Sequence, residues 1–274
     1  MYDWNNNCDI MNIIAKYLIP KDVLNIKLCN KYYHNNVRFY SLYISYRCSK
    51  KIINNIIRTF NDIKVLYINN IKKNIDLNCL IKLRKLYAHS TNITNGSIKN
   101  CINIEELSIF DTNNITDINH LTKLRILDAS SSNITNISIK NCINIEKLYI
   151  SYNKNITDLN HLTKLRILHI TNGNINTESI KNCVNIEELN IIDNSKTINL
   201  NHLTKLRKLY ADGVDIDDGS IRNCINIEKL SINSNKNIID LNHLTKLRKL
   251  YAYDTNINKE SIKNCHNIEY ILIE

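Results

Sequence analysis

Glycine and proline are scarce in this chain, which has only 4 glycines and 1 proline among its 274 residues. β-Sandwiches and propellers need many tight hairpins, and those hairpins usually depend on glycine, Asn-Gly or proline. The shortage therefore excludes most hairpin-built β folds, as well as collagen-like and proline-rich sequences. No two of the glycines form a glycine-rich phosphate-binding motif, so the sequence predicts no nucleotide site of that kind.

Long hydrophobic runs are also missing. No segment approaches the ~18 consecutive apolar residues that a membrane-spanning helix needs. Residues 1–9 are polar and acidic, unlike the basic and apolar regions of a secretory signal. The 9 cysteines show no disulfide framework and suit a reducing compartment. We therefore expect a cytoplasmic protein that has no membrane partner.

The abundant residues recur with a fixed period. Isoleucine and asparagine supply 50 and 48 residues, an excess that A/T-rich codons would explain. The string Asn-His-Leu-Thr-Lys-Leu-Arg starts every 41 residues, at Asn119, Asn160, Asn201 and Asn242. The string Asn-Cys-x-Asn-Ile-Glu has the same period and starts at Asn100, Asn141, Asn182, Asn223 and Asn264. Such phased self-similarity is typical of a solenoid in which each repeat buries its core against its neighbours.

Each 41-residue unit contains two related halves of 21 and 20 residues. Both halves fit the pattern L-x-x-L-x-x-L-x-L-x-x-N-x-L, and here the sequence resembles leucine-rich repeat proteins. The resemblance implies an α/β solenoid over residues 39–274, clearest from residue 80, with one strand per half, such as Arg125–Ala129 or Glu146–Ile150. About eleven or twelve parallel strands would form a sheet roughly 50 Å long. Residues 39–59 keep Leu42, Ile52 and Ile57 in phase and predict an eroded first repeat.

The turn position after each strand differs between the two halves. The second half carries asparagine there in three copies and threonine in one, namely Asn153, Asn194, Asn235 and Thr112. The first half has no asparagine at this position and carries Ser132, Gly173, Val214 and Thr255. We therefore expect less regular turns after the first-half strands. The short repeats also predict extended or single-turn segments on the convex side.

Cysteine, histidine and charged residues form their own periodic rows. Equivalent cysteines and histidines lie two strands apart, about 10 Å, too far for a disulfide or a shared zinc ion. We expect buried thiols, surface or turn histidines, and no cofactor or metal. Arginine and glutamate alternate on successive strands, which predicts cross-strand ion pairs that fix the register, with each arginine between two glutamates. The rows are Cys101, Cys142, Cys183, Cys224, Cys265; His120, His161, His202, His243; Arg84, Arg125, Arg166, Arg207, Arg248; and Glu105, Glu146, Glu187, Glu228, Glu269.

Residues 1–38 follow a different, helical pattern. The run from Ile10 to Tyr33 has apolar residues at helical spacing, and Tyr17-Leu18, Lys21-Asp22 and Cys29 fall in phase with the F-box. The segment therefore resembles an F-box, although it lacks the family's leading Leu-Pro. The resemblance implies a Skp-type adaptor as partner and an adaptor-facing surface made of Ile10, Ile14, Leu18, Pro20, Val23 and Leu24.

An F-box joined to leucine-rich repeats implies a non-enzymatic substrate receptor of an SCF-type cullin–RING ubiquitin ligase. The alternative is a repeat scaffold with no ubiquitin role, whose helical unit only caps the first repeat. Chains of this kind and composition also resemble those encoded by large DNA viruses of protists, which implies action in the host cytoplasm or nucleus.

The predicted concave face is the candidate site for an unidentified target protein. Its positions vary between repeats while the core positions do not, and exposed aromatic side chains suit protein recognition. The net charge of +10 is spread over all repeats among glutamates, which argues against nucleic acid as a partner. No nucleophile–base set is recognisable, so we expect no enzymatic activity. The target-binding residues predicted from the sequence are Tyr67, Tyr87, Phe110, Tyr149, His169, Tyr210, Tyr251 and Tyr253.

Overall fold

Twelve short strands form one parallel sheet in the computed structural model, which describes residues 40–273. Their order in the sheet is their order in the chain, so each strand pairs only with its neighbours in sequence. The strands are β1 (Ser41–Tyr43), β2 (Val65–Tyr67), β3 (Lys85–Tyr87), β4 (Glu106–Ser108), β5 (Ile126–Asp128), β6 (Lys147–Tyr149), β7 (Ile167–His169), β8 (Glu188–Asn190), β9 (Lys208–Tyr210), β10 (Lys229–Ser231), β11 (Lys249–Ala252) and β12 (Tyr270–Ile273). This is the predicted solenoid, with strands mostly of three residues instead of the predicted five.

The predicted helical unit of residues 1–38 lies outside the described residues. The same holds for the predicted adaptor-facing residues, which are Ile10, Ile14, Leu18, Pro20, Val23 and Leu24. That part of the sequence interpretation stays a prediction.

The core is a continuous column of aliphatic side chains. The central residue of each strand pairs with its equivalent on the next strand, as in Leu127 with Leu148 and Leu148 with Leu168. These leucines are fully buried, while the strand residues on either side are only partly buried. Because neighbouring strand residues point to opposite faces, the sheet has a core face and a second face that we call the open face.

One segment of the predicted first repeat is a true helix. Helix α1 spans Lys50–Thr59 and begins at Ser49, whose side chain accepts a hydrogen bond from the backbone of Ile52. Its buried residues, Ile53, Ile56 and Ile57, have the spacing of one helical face. Ile52, which the sequence pattern puts in phase with the repeat, is turned outward by the helix and is 39% exposed.

Single helical turns follow the first-half strands, as the short repeats predicted. They span Asn95–Ile98, Ile137–Ile139, Thr177–Ile180, Asp218–Ile221 (α2) and Glu260–Ile262. In three of them, a capping box satisfies the first backbone amides.

A left-handed residue stands at the same place in nearly every turn. It lies three residues beyond the third strand residue, as Tyr152 does after Tyr149, with φ of 58°. Only Gly213 is a glycine; the others are Asn70, Ser90, Asp111, Ser131, Tyr152, Asn172, Asp193, Ser234 and Asp254. The expectation of less regular turns after first-half strands was therefore wrong, since Ser131 and Asn172 adopt the same conformation as Asp111 and Tyr152.

Where a ladder asparagine is present, it supports this regularity. The Asn153 side chain donates to the carbonyls of Ser132 and Ile134, 3.3 and 3.0 Å away, which belong to the preceding turn. Its oxygen accepts from the backbone of Asn155, in its own turn, at 3.0 Å. One asparagine thus satisfies two turns, so the first-half turns need none of their own.

The arginine–glutamate rows form five ion pairs across the strands. Each arginine forms its ion pair with the glutamate of the following strand. From Arg125 onward the preceding strand also carries a glutamate, so these arginines lie between two glutamates, as predicted. Arg125 and Arg166 each make two hydrogen bonds of 2.8–2.9 Å to Glu146 and Glu187. These bonds lower the pKa of both glutamates. The other pairs are Arg84–Glu105, Arg207–Glu228 and Arg248–Glu269. The pairs are exposed, so they help to fix the register more than they stabilise the fold.

Replacing Tyr152 with glycine should stabilise the protein. A non-glycine residue in a left-handed conformation costs roughly 1–2 kcal/mol, while glycine costs roughly 0.5–1 kcal/mol in unfolded-chain entropy. Tyr152 is 63% exposed and loses little packing. We expect urea unfolding to show a gain of about 0.5 kcal/mol for Tyr152→Gly and a loss for Gly213→Ala. A loss for Tyr152→Gly would contradict this explanation of the turns.

Candidate functional site

The open face carries side chains in straight rows, because the strands pair without stagger. The third strand residue of each strand lies beside its equivalent on the next, as in Asp128 with Tyr149 and Tyr149 with His169. This third-residue row contains six of the eight predicted target-binding residues, namely Tyr67, Tyr87, Tyr149, His169, Tyr210 and Tyr251. All six are partly buried at the surface of the sheet.

The other two predicted residues lie just beyond the strands. Phe110 follows β4 by two residues and is 41% exposed, with its ring edge-on to His89 at 6.1 Å. Tyr253 follows β11 and is 57% exposed. The pattern of alternating side chains therefore placed the eight residues on two adjacent rows.

Aromatic rings stack at the start of the sheet. The ring centroids of Tyr43 and Tyr67 are 5.8 Å apart, and those of Tyr67 and Tyr87 are 4.5 Å apart and nearly parallel. Tyr43 was missed by the sequence prediction because its repeat is eroded. Its signal was the Leu42-Tyr43 pair, which matches Leu66-Tyr67 and Leu86-Tyr87.

Glu106 connects this stack to the next strands. The Tyr87 hydroxyl donates to it at 2.5 Å and the Lys85 ammonium lies 2.7 Å from its other oxygen. Burial and the hydrogen bond to this carboxylate raise the pKa of Tyr87. Burial alone would raise the pKa of Glu106, but the two hydrogen bonds outweigh it and lower that pKa. The carboxylate therefore stays ionised and holds both partners in place.

A histidine, a serine and an aspartate meet at the ends of β3, β4 and β5. His89 Nε2 lies 2.5 Å from the hydroxyl of Ser108, which donates to Asp128 at 3.1 Å. In a nucleophilic triad the histidine stands between the serine and the carboxylate. Here the serine stands between the other two and is only 6% exposed. These hydrogen bonds therefore order the three side chains, but they do not provide the serine–histidine–carboxylate order that activates the serine in such a triad.

The second half of the sheet has its own charged chain. Glu188 accepts from His169 Nε2 at 3.0 Å and pairs with Lys208 at 2.9 Å. Burial opposes ionisation of Glu188, but these two partners lower its pKa. Tyr149 packs edge-on against His169 at 5.0 Å. The predicted residues Tyr149, His169 and Tyr210 thus sit among fixed charges of both signs.

The cysteine row is structural, as predicted. Each thiol contacts a backbone carbonyl of the preceding turns, as Cys142 does with Ile118 at 3.4 Å. All cysteines among the described residues are free. Burial raises the pKa to about 12 for four of them, Cys101, Cys142, Cys183 and Cys224.

Thiol labelling at pH 8 should separate these cysteines from the exposed Cys79. A thiol with a pKa of about 12 carries almost no thiolate at pH 8, and its burial also blocks the reagent. We expect Cys79→Ser to remove one fast-reacting thiol and Cys142→Ser to remove none. Urea should bring Cys142 into the reactive class. If Cys142→Ser has one fast-reacting thiol fewer than wild type, the cysteine row is accessible to the reagent and this prediction is wrong.

The repeated histidines also bond within the solenoid. His120, His161, His202 and His243 each hold a carbonyl of the preceding turn at 3.1–3.2 Å through Nε2. Within residues 40–273, no three His, Cys, Asp or Glu side chains cluster as metal ligands would. None of the helices in the same stretch is long and apolar enough to cross a bilayer.

Solved structures similar to this chain share its repeat architecture. An internalin (inlF) from Listeria monocytogenes is 22% identical, with a TM-score of 0.62, and the match covers 79% of this chain and 75% of that one. The functional domain of InlJ from Listeria monocytogenes, which includes a cysteine ladder, is 20% identical with a TM-score of 0.65. That match covers 86% of this chain and 53% of the InlJ chain. TLR13 in complex with ssRNA13 is 15% identical with a TM-score of 0.70, and that match covers 94% of this chain and 42% of the TLR13 chain.

No protein-family model matches this sequence, and the search of curated proteins found no match either. The similarity therefore rests on structure and establishes the fold alone. The twelve stacked strands, the ladder asparagines and these neighbours agree: this chain folds as a leucine-rich repeat solenoid with a row of variable side chains along the open face of its sheet.

Proposed function

We propose that this solenoid binds a target protein on its open face. The observation that supports the proposal is the contrast between the two faces of the strands. The central strand residue is leucine in eleven of the strands and isoleucine in β12, whereas the third-residue row holds tyrosine, serine, aspartate, histidine, asparagine and leucine. A scaffold that is constant inside and varied outside is suited to selective binding.

Protein is favoured over nucleic acid as the target because the open face carries both signs of charge. Glu106, Asp128, Glu188 and Asp212 lie among its lysines, so the phosphates of a nucleic acid would meet carboxylates along most of the face. The structure of TLR13 with ssRNA13 makes a single-stranded RNA the proper control ligand.

Panning of a displayed peptide library on the full-length chain tests this proposal. Selected ligands are then titrated against Tyr149→Ala/Tyr210→Ala on the open face and against Thr163→Ala/Thr204→Ala, two exposed positions outside the strands. We expect the tyrosine variant to bind at least about tenfold more weakly and the threonine variant to match wild type, since buried tyrosines often dominate interfaces. Equal affinity for both variants, or a panning that enriches no ligand, would overturn the proposal.

We further propose that residues 1–38 recruit a Skp-type adaptor, which would make the chain a substrate receptor of an SCF-type ubiquitin ligase. The support is the F-box-like spacing around Leu18, Pro20 and Val23. The viral origin and the action in the host cytoplasm or nucleus belong to the same proposal, and their support is the combination of an F-box-like segment with repeats of this A/T-biased composition. The alternative function is an interaction scaffold that has no ubiquitin role.

An adaptor pull-down separates these two functions. Wild type is compared with Leu18→Asp/Val23→Asp, which places charges on the predicted adaptor-facing surface. We expect wild type to retain the adaptor and the variant to lose it, while both still bind a panned ligand. If both chains recover the adaptor equally, or if neither recovers it, the ubiquitin role is overturned and the interaction scaffold is the remaining function.

A further inference from the structure

Three lysines stand side by side on the open face near the end of the sheet. Lys208, Lys229 and Lys249 are the first residues of β9, β10 and β11, and they pair directly in register. Neighbouring strands are about 4.8 Å apart, and like charges directly opposite each other destabilise a sheet. The earlier strands avoid this arrangement, since their first residues are Ser41, Val65, Lys85, Glu106, Ile126, Lys147, Ile167 and Glu188.

Of these three charges, the described residues neutralise one by an ion pair. Lys208 pairs with Glu188, which also holds His169. Among residues 40–273, Lys229 and Lys249 form no ion pair with a carboxylate. The nearby Glu228 and Glu269 are engaged by the arginine row. Two cationic charges therefore lie on the open face without an ion pair of their own in this part of the chain.

Tyrosines hold the middle lysine in place. The Lys229 ammonium lies 4.9 Å from the centre of the Tyr210 ring and 5.4 Å from that of Tyr251. These cation–π contacts order the side chain before any ligand arrives. A shallow depression of about 370 Å³ lies here, lined by Lys208, Tyr210, Glu228, Lys229, Arg248, Lys249 and Glu269. We call Lys208, Lys229, Lys249, Tyr210 and Tyr251 the lysine–tyrosine cluster.

We propose that the lysine–tyrosine cluster binds a segment of the target protein that carries two or three closely spaced acidic side chains. Their carboxylates would supply the missing counter-charges, and the tyrosine rings would contact the apolar atoms between them. This inference rests on the proposed function of the open face as a protein-binding surface. It adds the chemistry of the segment that this face recognises.

An acidic peptide is favoured here over a nucleic acid for a local reason. Lys229 already occupies one side of the Tyr210 and Tyr251 rings, so these rings offer less surface for stacked bases. The three lysines are the first residues of their strands, and the equivalent residues on the flanking strands are Glu188 on one side and the uncharged Tyr270 on the other. Three lysines over about 10 Å match a few carboxylates of a short segment better than a long phosphate backbone.

Fluorescence anisotropy with the full-length chain tests this inference. The probe is a labelled Gly/Ser peptide with three consecutive glutamates, and its counterpart has three glutamines. The cluster variant Lys208→Gln/Lys229→Gln/Lys249→Gln is compared with Lys164→Gln/Lys205→Gln/Lys246→Gln. The control removes the same charge from lysines that are exposed and bonded to Asn144, Asn185 and Asn226.

We expect wild type and the control variant to bind the acidic peptide within about twofold of each other, and the cluster variant to bind it at least about tenfold more weakly. The glutamine peptide should not bind, and added salt should weaken the acidic complex. An equal loss of affinity in both lysine variants would show that the peptide responds only to the overall positive charge of the protein, and it would overturn the inference.

Two further outcomes separate this inference from the function on which it rests. If panned ligands need the open-face tyrosines but the acidic peptide does not bind, the inference fails and the proposed function stands. If panned ligands ignore the open face, the proposed function fails. Tighter binding of a single-stranded oligouridine than of the peptide through the same three lysines would reassign the cluster to nucleic acid and contradict the inference.

Discussion

Replacing Asn153 with leucine lowers the free energy of unfolding by about 3 kcal/mol, according to the hydrogen bonds of the turns. The side chain is 1% exposed and satisfies the carbonyls of Ser132 and Ile134 and the backbone amide of Asn155. Leucine has a similar size but no polar atoms, so these buried groups would lose their partners. Each unsatisfied buried group costs about 1–3 kcal/mol, and partial rearrangement reduces the sum.

Urea unfolding of Asn153→Leu beside Asn133→Leu measures this effect. Asn133 is an exposed asparagine of the preceding turn and makes one hydrogen bond, to the carbonyl of Asn113 at 3.1 Å. We expect its replacement to change stability by no more than about 0.5 kcal/mol. Two variants of equal stability would show that the asparagine ladder does not support the turns.

Deleting a whole 41-residue unit should do less damage than deleting half of one. Removal of residues 142–182 joins Asn141 to Cys183 and repeats the natural Asn-Cys junction. It takes out β6 and β7, and it brings Glu187 beside Arg125 and Asn194 beside the turn of Ser132. The equivalent contacts exist in the native chain, so ten strands should still unfold cooperatively, with an m-value lower by about a sixth.

Removal of residues 142–161 takes out a single strand but places two first halves side by side. Arg125 would then face Arg166, and the turn of Ser132 would lose Asn153 with no asparagine in its place. We expect this shorter deletion to be less stable than the longer one by about 3 kcal/mol. Circular dichroism and urea unfolding compare the two, and the reverse order would contradict a two-turn structural unit.

The period of the sequence was enough to predict the core and the rows of the sheet. Leu148 and its equivalents are constant and apolar at one fixed position, so their burial and register follow from stacking alone. Cys142 could be assigned to the core because its equivalents are too far apart to react together. The third-residue row followed from the alternation of side chains along each strand.

Other features depend on contacts that no repeat pattern records. Helix α1 replaces a predicted repeat segment, and its buried face, which includes Ile53, excludes Ile52. The left-handed turns were missed because tyrosine and serine occupy a conformation usually associated with glycine. The lysine–tyrosine cluster could not be predicted from a single repeat, because it depends on variable residues of three neighbouring strands. Lys229 is held by the rings of Tyr210 and Tyr251, which belong to the strands on either side.

Hydroxyl-radical footprinting of a complex with a panned ligand tests most directly whether the open face binds the target. Tyr149, Tyr210 and Tyr251 report on that face, while Tyr152 is an exposed tyrosine on a turn and serves as internal control. The account predicts that the ligand slows oxidation of the open-face tyrosines by at least about threefold, as burial of a ring at an interface requires, and leaves Tyr152 unchanged. Protection of Tyr152 with no protection of the other three would place the binding site elsewhere and contradict the account.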